Sequence, residues 1–93
     1  MATGPAASEE WAVFARELGH NLRRARAAKD LTQERLVELT GMSLYAYQQY
    51  ERGSVTRGGN PTNPRLATML AICQALEVDL QDLLPPVPHL IVR

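Results

Sequence analysis

A chain of 93 residues is long enough for one domain with a modest core and too short for two. The apolar share of 45% fits an ordinary globular fold, and one Trp, three Tyr and one Phe make its core mainly aliphatic. No apolar run approaches bilayer-spanning length and no charged start precedes an apolar stretch, so the expectation is a soluble, cytoplasmic chain with no membrane contact.

Lys and Arg number ten against ten Asp and Glu, so net charge alone gives no sign of a polyanionic partner. Its distribution says more. Nine of the basic residues fall between Arg16 and Arg65 against five acids, while the other acids sit at Glu9, Glu10, Glu77, Asp79 and Asp82. A basic middle between acidic flanks suits one polyanion-facing side, although clustered charges also make an ordinary solvated face. The lone Cys73 excludes an internal disulfide or a cysteine cluster, and its apolar neighbours at helical spacing suggest a buried thiol.

In chain order, residues 1–7 read as a frayed tail. Ser8 offers a hydroxyl cap and Glu9 and Glu10 are acids suited to a first turn. Trp11, Phe14, Ala15, Leu18, Leu22 and Ala25 then recur at three- and four-residue steps, predicting a long helix that ends near Lys29 and Asp30. Thr32 caps a second helix, Gln33 to Thr40, with Leu36 and Leu39 on its buried side and Gly41 as its stop. Arg35 stands where a capping box would want Glu or Gln. Met42 fills the turn, Ser43 caps a third helix from Leu44 to Arg52, and Gly53 ends it. Residues 54–63 form a loop rich in Gly, Asn, Thr and Pro. Asn63 with Pro64 starts a fourth helix whose wide apolar face holds Leu66, Met69, Leu70, Ile72, Cys73 and Leu76. Asp79 caps a short fifth helix ending at Leu84, with Leu80, Leu83 and Leu84 facing inward and Pro85–Pro86 closing it. The expected division is therefore a tail at 1–7, a domain at 8–85 and a C-terminal tail at 86–93.

Two short helices joined by a turn that opens with glycine make a helix-turn-helix pattern. Catalysis finds no support beside it. His20 and His89 lack ligand spacing, and no phosphate-binding loop, metalloprotease motif or nucleophile elbow occurs, so neither metal, cofactor nor small-molecule ligand is expected.

Residues 31–53, LTQERLVELTGMSLYAYQQYERG, resemble the Cro and phage-repressor (XRE) type of helix-turn-helix. The resemblance is carried by Thr32-Gln33-Glu34, Leu36, Leu39, Gly41, Ser43, the apolar positions 47 and 50, and Glu51-Arg52-Gly53. Pro64, Leu66 and ALEVDLQDLL at 75–84 match downstream, so it covers roughly residues 16–85. It implies an all-α, five-helix, lambda-repressor-like domain that binds double-stranded operator DNA, commonly as a homodimer.

In this motif the second helix of the pair lies in the major groove. Helical spacing turns Tyr47 and Tyr50 toward the core and leaves Leu44, Tyr45, Gln48 and Gln49 outside, as base readers or as a plain wet face. Glutamine can pair bidentately with adenine, and Gln49 is placed ahead of Gln48 as reader. The resemblance sets Gln33 beside a phosphate near the amides of its own helix, with Ser43 and Arg52 as further phosphate contacts. It also implies a structural ion pair between Arg26 and Glu51.

Ten residues separate Gly53 from Pro64, more than this type of domain usually has. The insert carries Arg57, either on an arm that reaches phosphates or the minor groove, or in a tolerated surface loop. Arg65 after it is another phosphate candidate. Trp11 with Phe14, and His89 to Val92, exceed a minimal five-helix core, and either cap it or build a two-fold seam. The sequence thus points to a transcriptional regulator reading a short palindromic operator. The alternative is a protein-interaction module, such as an antitoxin or regulator subunit, consistent with the zero net charge and apolar tail.

Overall fold

The computed structural model describes residues 4–91, which carry five α-helices: α1 Glu9–Ala28, α2 Gln33–Thr40, α3 Leu44–Arg52, α4 Leu66–Leu76 and α5 Leu80–Leu83. The fold is all-α. Among the described residues no helix is long and apolar enough to cross a membrane.

Local signals set most of the boundaries. The hydroxyls of Ser8, Thr32 and Ser43 accept from the amides of Trp11, Arg35 and Ala46 at 3.0–3.1 Å, satisfying donors that no intrahelical carbonyl reaches. Gly41 and Gly53 end α2 and α3 at φ 75° and 83°, a region costly for a side chain bearing Cβ. Asp30 does the same after α1, letting Leu31 N–H reach the Arg26 carbonyl at 3.1 Å.

The core gathers Leu22, Leu36, Tyr47, Ile72 and Leu83, all fully buried, with Phe14, Leu18, Met69, Cys73 and Leu76 around them. Helix α1 crosses α3, α2 packs on both α3 and α4, and α5 closes the far end against α1 and α4. The α1–α3 crossing is backbone-tight. A Cβ added at Gly19 would sit 2.4 Å from the Glu51 carbonyl oxygen, so only glycine permits this approach.

Several sequence expectations are corrected. Pro5–Ala7, read as frayed tail, form a 3-10 turn; residues 1–3 lie outside the described residues, as do Val92 and Arg93 at the other end. Helix α4 begins at Leu66 rather than Pro64, with Arg65 still extended at ψ 151°. The approach is dictated by Thr62, whose N–H donates to the Gly53 carbonyl and whose own carbonyl accepts from Trp11 Nε1 at 3.0 Å. Leu39, Leu66 and Leu70, expected inside, are exposed; Val37 packs in from α2, and Met69, Ile72, Cys73 and Leu76 suffice to bury one face of α4. Helix α5 stops at Leu83, and Leu84 turns outward. Trp11 stacks on Phe14 with ring centroids 5.0 Å apart, so this pair caps the core within the chain.

Candidate nucleic-acid interface

Helix α3 lies with Tyr47 fully buried and Tyr50 half-buried against the core, as helical spacing predicts. That orientation leaves Tyr45, 66% exposed, and Gln48 on the outer side, with Leu44 and Gln49 half-buried at the margins.

Beneath α3 is a buried polar cluster centred on Glu51, whose side chain is 4% exposed. Arg26 approaches it in a fork, Nε to Oε2 at 2.6 Å and Nη2 to Oε1 at 3.1 Å. Arg26 Nη1 also donates to the Leu31 carbonyl at 2.9 Å, so one side chain joins α1, the α1–α2 turn and α3. Burial alone would push the Glu51 carboxyl up, but hydrogen bonding from Arg26 and Gln33 outweighs it and holds the carboxyl below its ordinary value. The Arg26 guanidinium is correspondingly raised, first by its bond to Glu51. Tyr47 Oη is buried without a partner at normal hydrogen-bond geometry, and burial together with the neighbouring carboxylate pushes its ionisation up. Arg23, one helical turn before Arg26, adds a longer contact of 3.8 Å from its exposed side chain. Sequence reasoning missed Arg23, although its three-residue spacing from Arg26 carries the signal.

The cluster extends outward through Gln33. Its Nε2 donates to Glu51 Oε1 at 3.0 Å, and its Oε1 accepts from Gln48 Nε2 at 3.2 Å. A continuous path therefore runs from half-buried Arg26 through Glu51 and Gln33 to an exposed glutamine on α3. Gln49 points elsewhere: its Nε2 donates to the Val55 carbonyl at 3.0 Å. Arg52 turns the same way, with Nε on Ser54 O at 3.1 Å and Nη2 on Val55 O at 2.7 Å.

The inserted loop is not formless. Ser54 and Pro61 pair antiparallel, Val55 N–H meets Asn60 O at 2.8 Å, and Gly59 N–H meets Thr56 O at 2.8 Å. The result is a small hairpin lashed to the end of α3, with Arg57 exposed in its tip. Ser43 and Arg65 are exposed at the starts of α3 and α4. Of the residues singled out in the sequence, Arg26, Glu51, Gln33 and Gln48 are joined in one network. Gln49 and Arg52 join the hairpin, Arg57 is part of its tip, and Leu44, Tyr45, Ser43 and Arg65 stand outside both.

A family model described as a helix-turn-helix domain matches residues 17–85. Among solved structures, the restriction-modification controller protein C.AhdI from Aeromonas hydrophila is 30% identical, with a TM-score of 0.64 over 74% of this chain and 94% of that one. The hypothetical transcription factor NHTF from Neisseria is 28% identical, with a TM-score of 0.65 over 92% and 90%. An HTH_3 family transcriptional regulator from Vibrio cholerae is 25% identical at a TM-score of 0.65, matching 77% of this chain and 36% of its own length. No match was found among curated protein sequences. The matched region takes in the capped α2–turn–α3 pair and the polar cluster beneath it, and the chain belongs to the helix-turn-helix family of DNA-binding transcription regulators, a family of regulators and not of enzymes.

Proposed function

We propose that the protein regulates transcription as a homodimer, laying α3 of each subunit in the major groove of a short palindromic operator. The observation that carries this reading is the path from Arg26 and Glu51 through Gln33 to Gln48. A glutamine amide free to rotate loses about 0.5–1.5 kcal/mol of side-chain entropy when a base immobilises it, and an amide already held by Gln33 loses less. Gln48 keeps one Nε2 proton and its Oε1 for a base edge, the pair that matches adenine.

Gln48 is the principal reader in this proposal, ahead of Gln49, because it stands exposed on the outer side of α3, whereas Gln49 is half-buried at the margin and turned toward the Val55 carbonyl. Tyr45 and Leu44 border the same outer side and would meet a thymine methyl or a sugar. Ser43, Arg52, Arg57 and Arg65 would set orientation on phosphates, while Gln33, its side-chain amide occupied, would use its backbone N–H at the start of α2. For the dimer, Trp11 and Phe14 are spent on the chain's own core, whereas Val87 and Ile91 in the C-terminal tail stay exposed. That tail is the proposed seam, which would set two reading helices about 34 Å apart along the duplex.

Selection from a random duplex pool tests the reading, with enrichment of a two-fold symmetric site as the expected result. Gln48→Ala should then cost about 1–3 kcal/mol on the selected site and little on random DNA. Equal losses on both would refute the reader role, and a purified chain that enriches nothing would shift the function to protein partners on the same fold.

A further inference from the structure

We infer that the cleft between α1, the end of α3 and the 54–61 hairpin is an oxyanion site that receives a backbone phosphodiester at the outer edge of the DNA contact. The inference rests on the DNA-binding reading and adds Arg16, a residue the helix-turn-helix pattern does not point to.

The cleft has a volume of about 180 Å³ and is lined by Arg16, Arg52, Gly53, Ser54, Gly58 and Gly59, with no carboxylate in its wall. Two arginines thus line one small concavity. Arg52 is fixed there, since Nε and Nη2 are held by the Ser54 and Val55 carbonyls, and Nη1 is left over. Arg16 is exposed and has neither a hydrogen bond nor an ion pair among the described residues. Its helix cannot drift from Arg52, because a Cβ at Gly53 would lie 2.7 Å from the Arg16 Cα: the two segments touch backbone to backbone. Two cations lining one small cleft without a counter-charge repel, and an anion between them relieves that repulsion. Guanidinium forks match the oxygens of a phosphate in both geometry and charge.

The hairpin supplies the third wall, with Gly58 and Gly59 in its tip. Gly58 has φ 72°, and a Cβ on Gly59 would lie 2.1 Å from Thr56 Oγ1. The tip therefore presents bare backbone to the cleft, allowing close approach of a phosphate. Arg57 in the same tip and Arg52 at the end of α3 place the cleft at the end of the reading helix, where the helix leaves the groove and a strand passes. On one side the cleft opens to a larger cavity of about 740 Å³ whose wall includes Glu9. That carboxylate opposes an anion extending toward the N-terminus and favours one seated between the two arginines.

Duplex affinity measured across salt for wild type, Arg16→Gln and Arg16→Lys tests the assignment. One phosphate contact contributes about 0.9 to the slope of log affinity against log salt. Arg16→Gln should flatten the slope by that amount on selected and random duplex alike, without changing base preference, and Arg16→Lys should restore it. An unchanged slope in an Arg16→Gln protein that melts like wild type would overturn the proposal. So would inorganic phosphate raising the Tm of wild type but not of Arg16→Gln while the duplex slopes agree, because the cleft would then take a free anion. The random-duplex arm separates this question from the operator reading: a wild type that enriches no sequence yet shows the Arg16-dependent slope refutes the operator and leaves the cleft standing.

Discussion

Replacing Glu51 by glutamine preserves its shape and removes its charge, which isolates what the carboxylate does under α3. In the native chain it receives Arg26 twice, at 2.6 and 3.1 Å, and Gln33 once, at 3.0 Å. Breaking a fully buried pair by neutralising one partner costs about 3–5 kcal/mol, because the other charge is stranded. The cost here falls below that range for two reasons. Arg26 keeps the Leu31 carbonyl and its side chain is 18% exposed, so it recovers some hydration. The expected loss is about 2–3 kcal/mol, which for a domain of this size lowers the Tm by roughly 10–20 °C. Urea denaturation of Glu51→Gln, Arg26→Met and the double variant Arg26→Met/Glu51→Leu measures it. Each single change should be costly and the double far less than their sum, since an apolar pair leaves no stranded charge. Costs that add to within about 0.5 kcal/mol would refute the pairing argument.

The same variant carries a pH signature. The native Glu51 carboxyl lies below its ordinary value of 4.5, so its contribution is complete above that pH and is lost as pH falls through the depressed native value. Glu51→Gln has no such contribution. The stability gap between the two proteins should hold constant from neutrality to about pH 5 and close in stronger acid. A gap that persists undiminished in acid would mean that the carboxylate is not stabilised by its partners.

Two further substitutions probe how α3 is held. Gly19→Ala should destabilise by about 1–2 kcal/mol despite the gain of about 1 kcal/mol from helix propensity, because the new Cβ would meet the Glu51 and Tyr50 carbonyls at 2.4 and 2.8 Å and neither is a side chain that can swing aside; a stabilised protein in urea melts would contradict the crossing geometry. Trp11→Phe removes the Nε1 bond to the Thr62 carbonyl, worth about 1 kcal/mol, and should speed amide exchange in residues 54–62 while leaving α2 and α3 unchanged. Exchange that rises evenly over the whole chain would show that Trp11 supports the core and not the loop.

What could be read from the sequence was what is decided within four or five residues. Ser8, Thr32 and Ser43 each cap the helix they precede, and Gly41 and Gly53 stop α2 and α3. A hydroxyl three residues before an orphan amide needs no tertiary structure to find it. The failures share a different cause. Leu39, Leu66 and Leu70 repeat at helical spacing like their buried neighbours, but the α2–α4 contact covers only part of either circumference, and periodicity cannot say which part. Helix α4 starts late because Thr62 is pinned by Gly53 and Trp11, residues 9 and 51 positions earlier in the chain.

The candidate site divides along the same line. That residues 47 and 50 turn inward and 45 and 48 outward follows from the helical repeat alone. Where each amide is held depends on contacts the repeat does not contain. Gln48 and Gln49 are chemically identical neighbours, yet one is bonded to Gln33 from the preceding helix and the other to a carbonyl of the following loop. Without the insert there is no Val55 carbonyl at that place, and Gln49 and Arg52 lose the acceptor they share. The ten-residue connection therefore acts on the proposed recognition surface twice, by holding Gln49 through Val55 and by walling the cleft beside Arg16 with Gly58 and Gly59. In the proposed reading the basic middle of the chain is thus divided: Arg26 is turned inward to Glu51, Arg23 reaches it at 3.8 Å from the surface, and Arg16, Arg52 and Arg57 are left for an anion from outside.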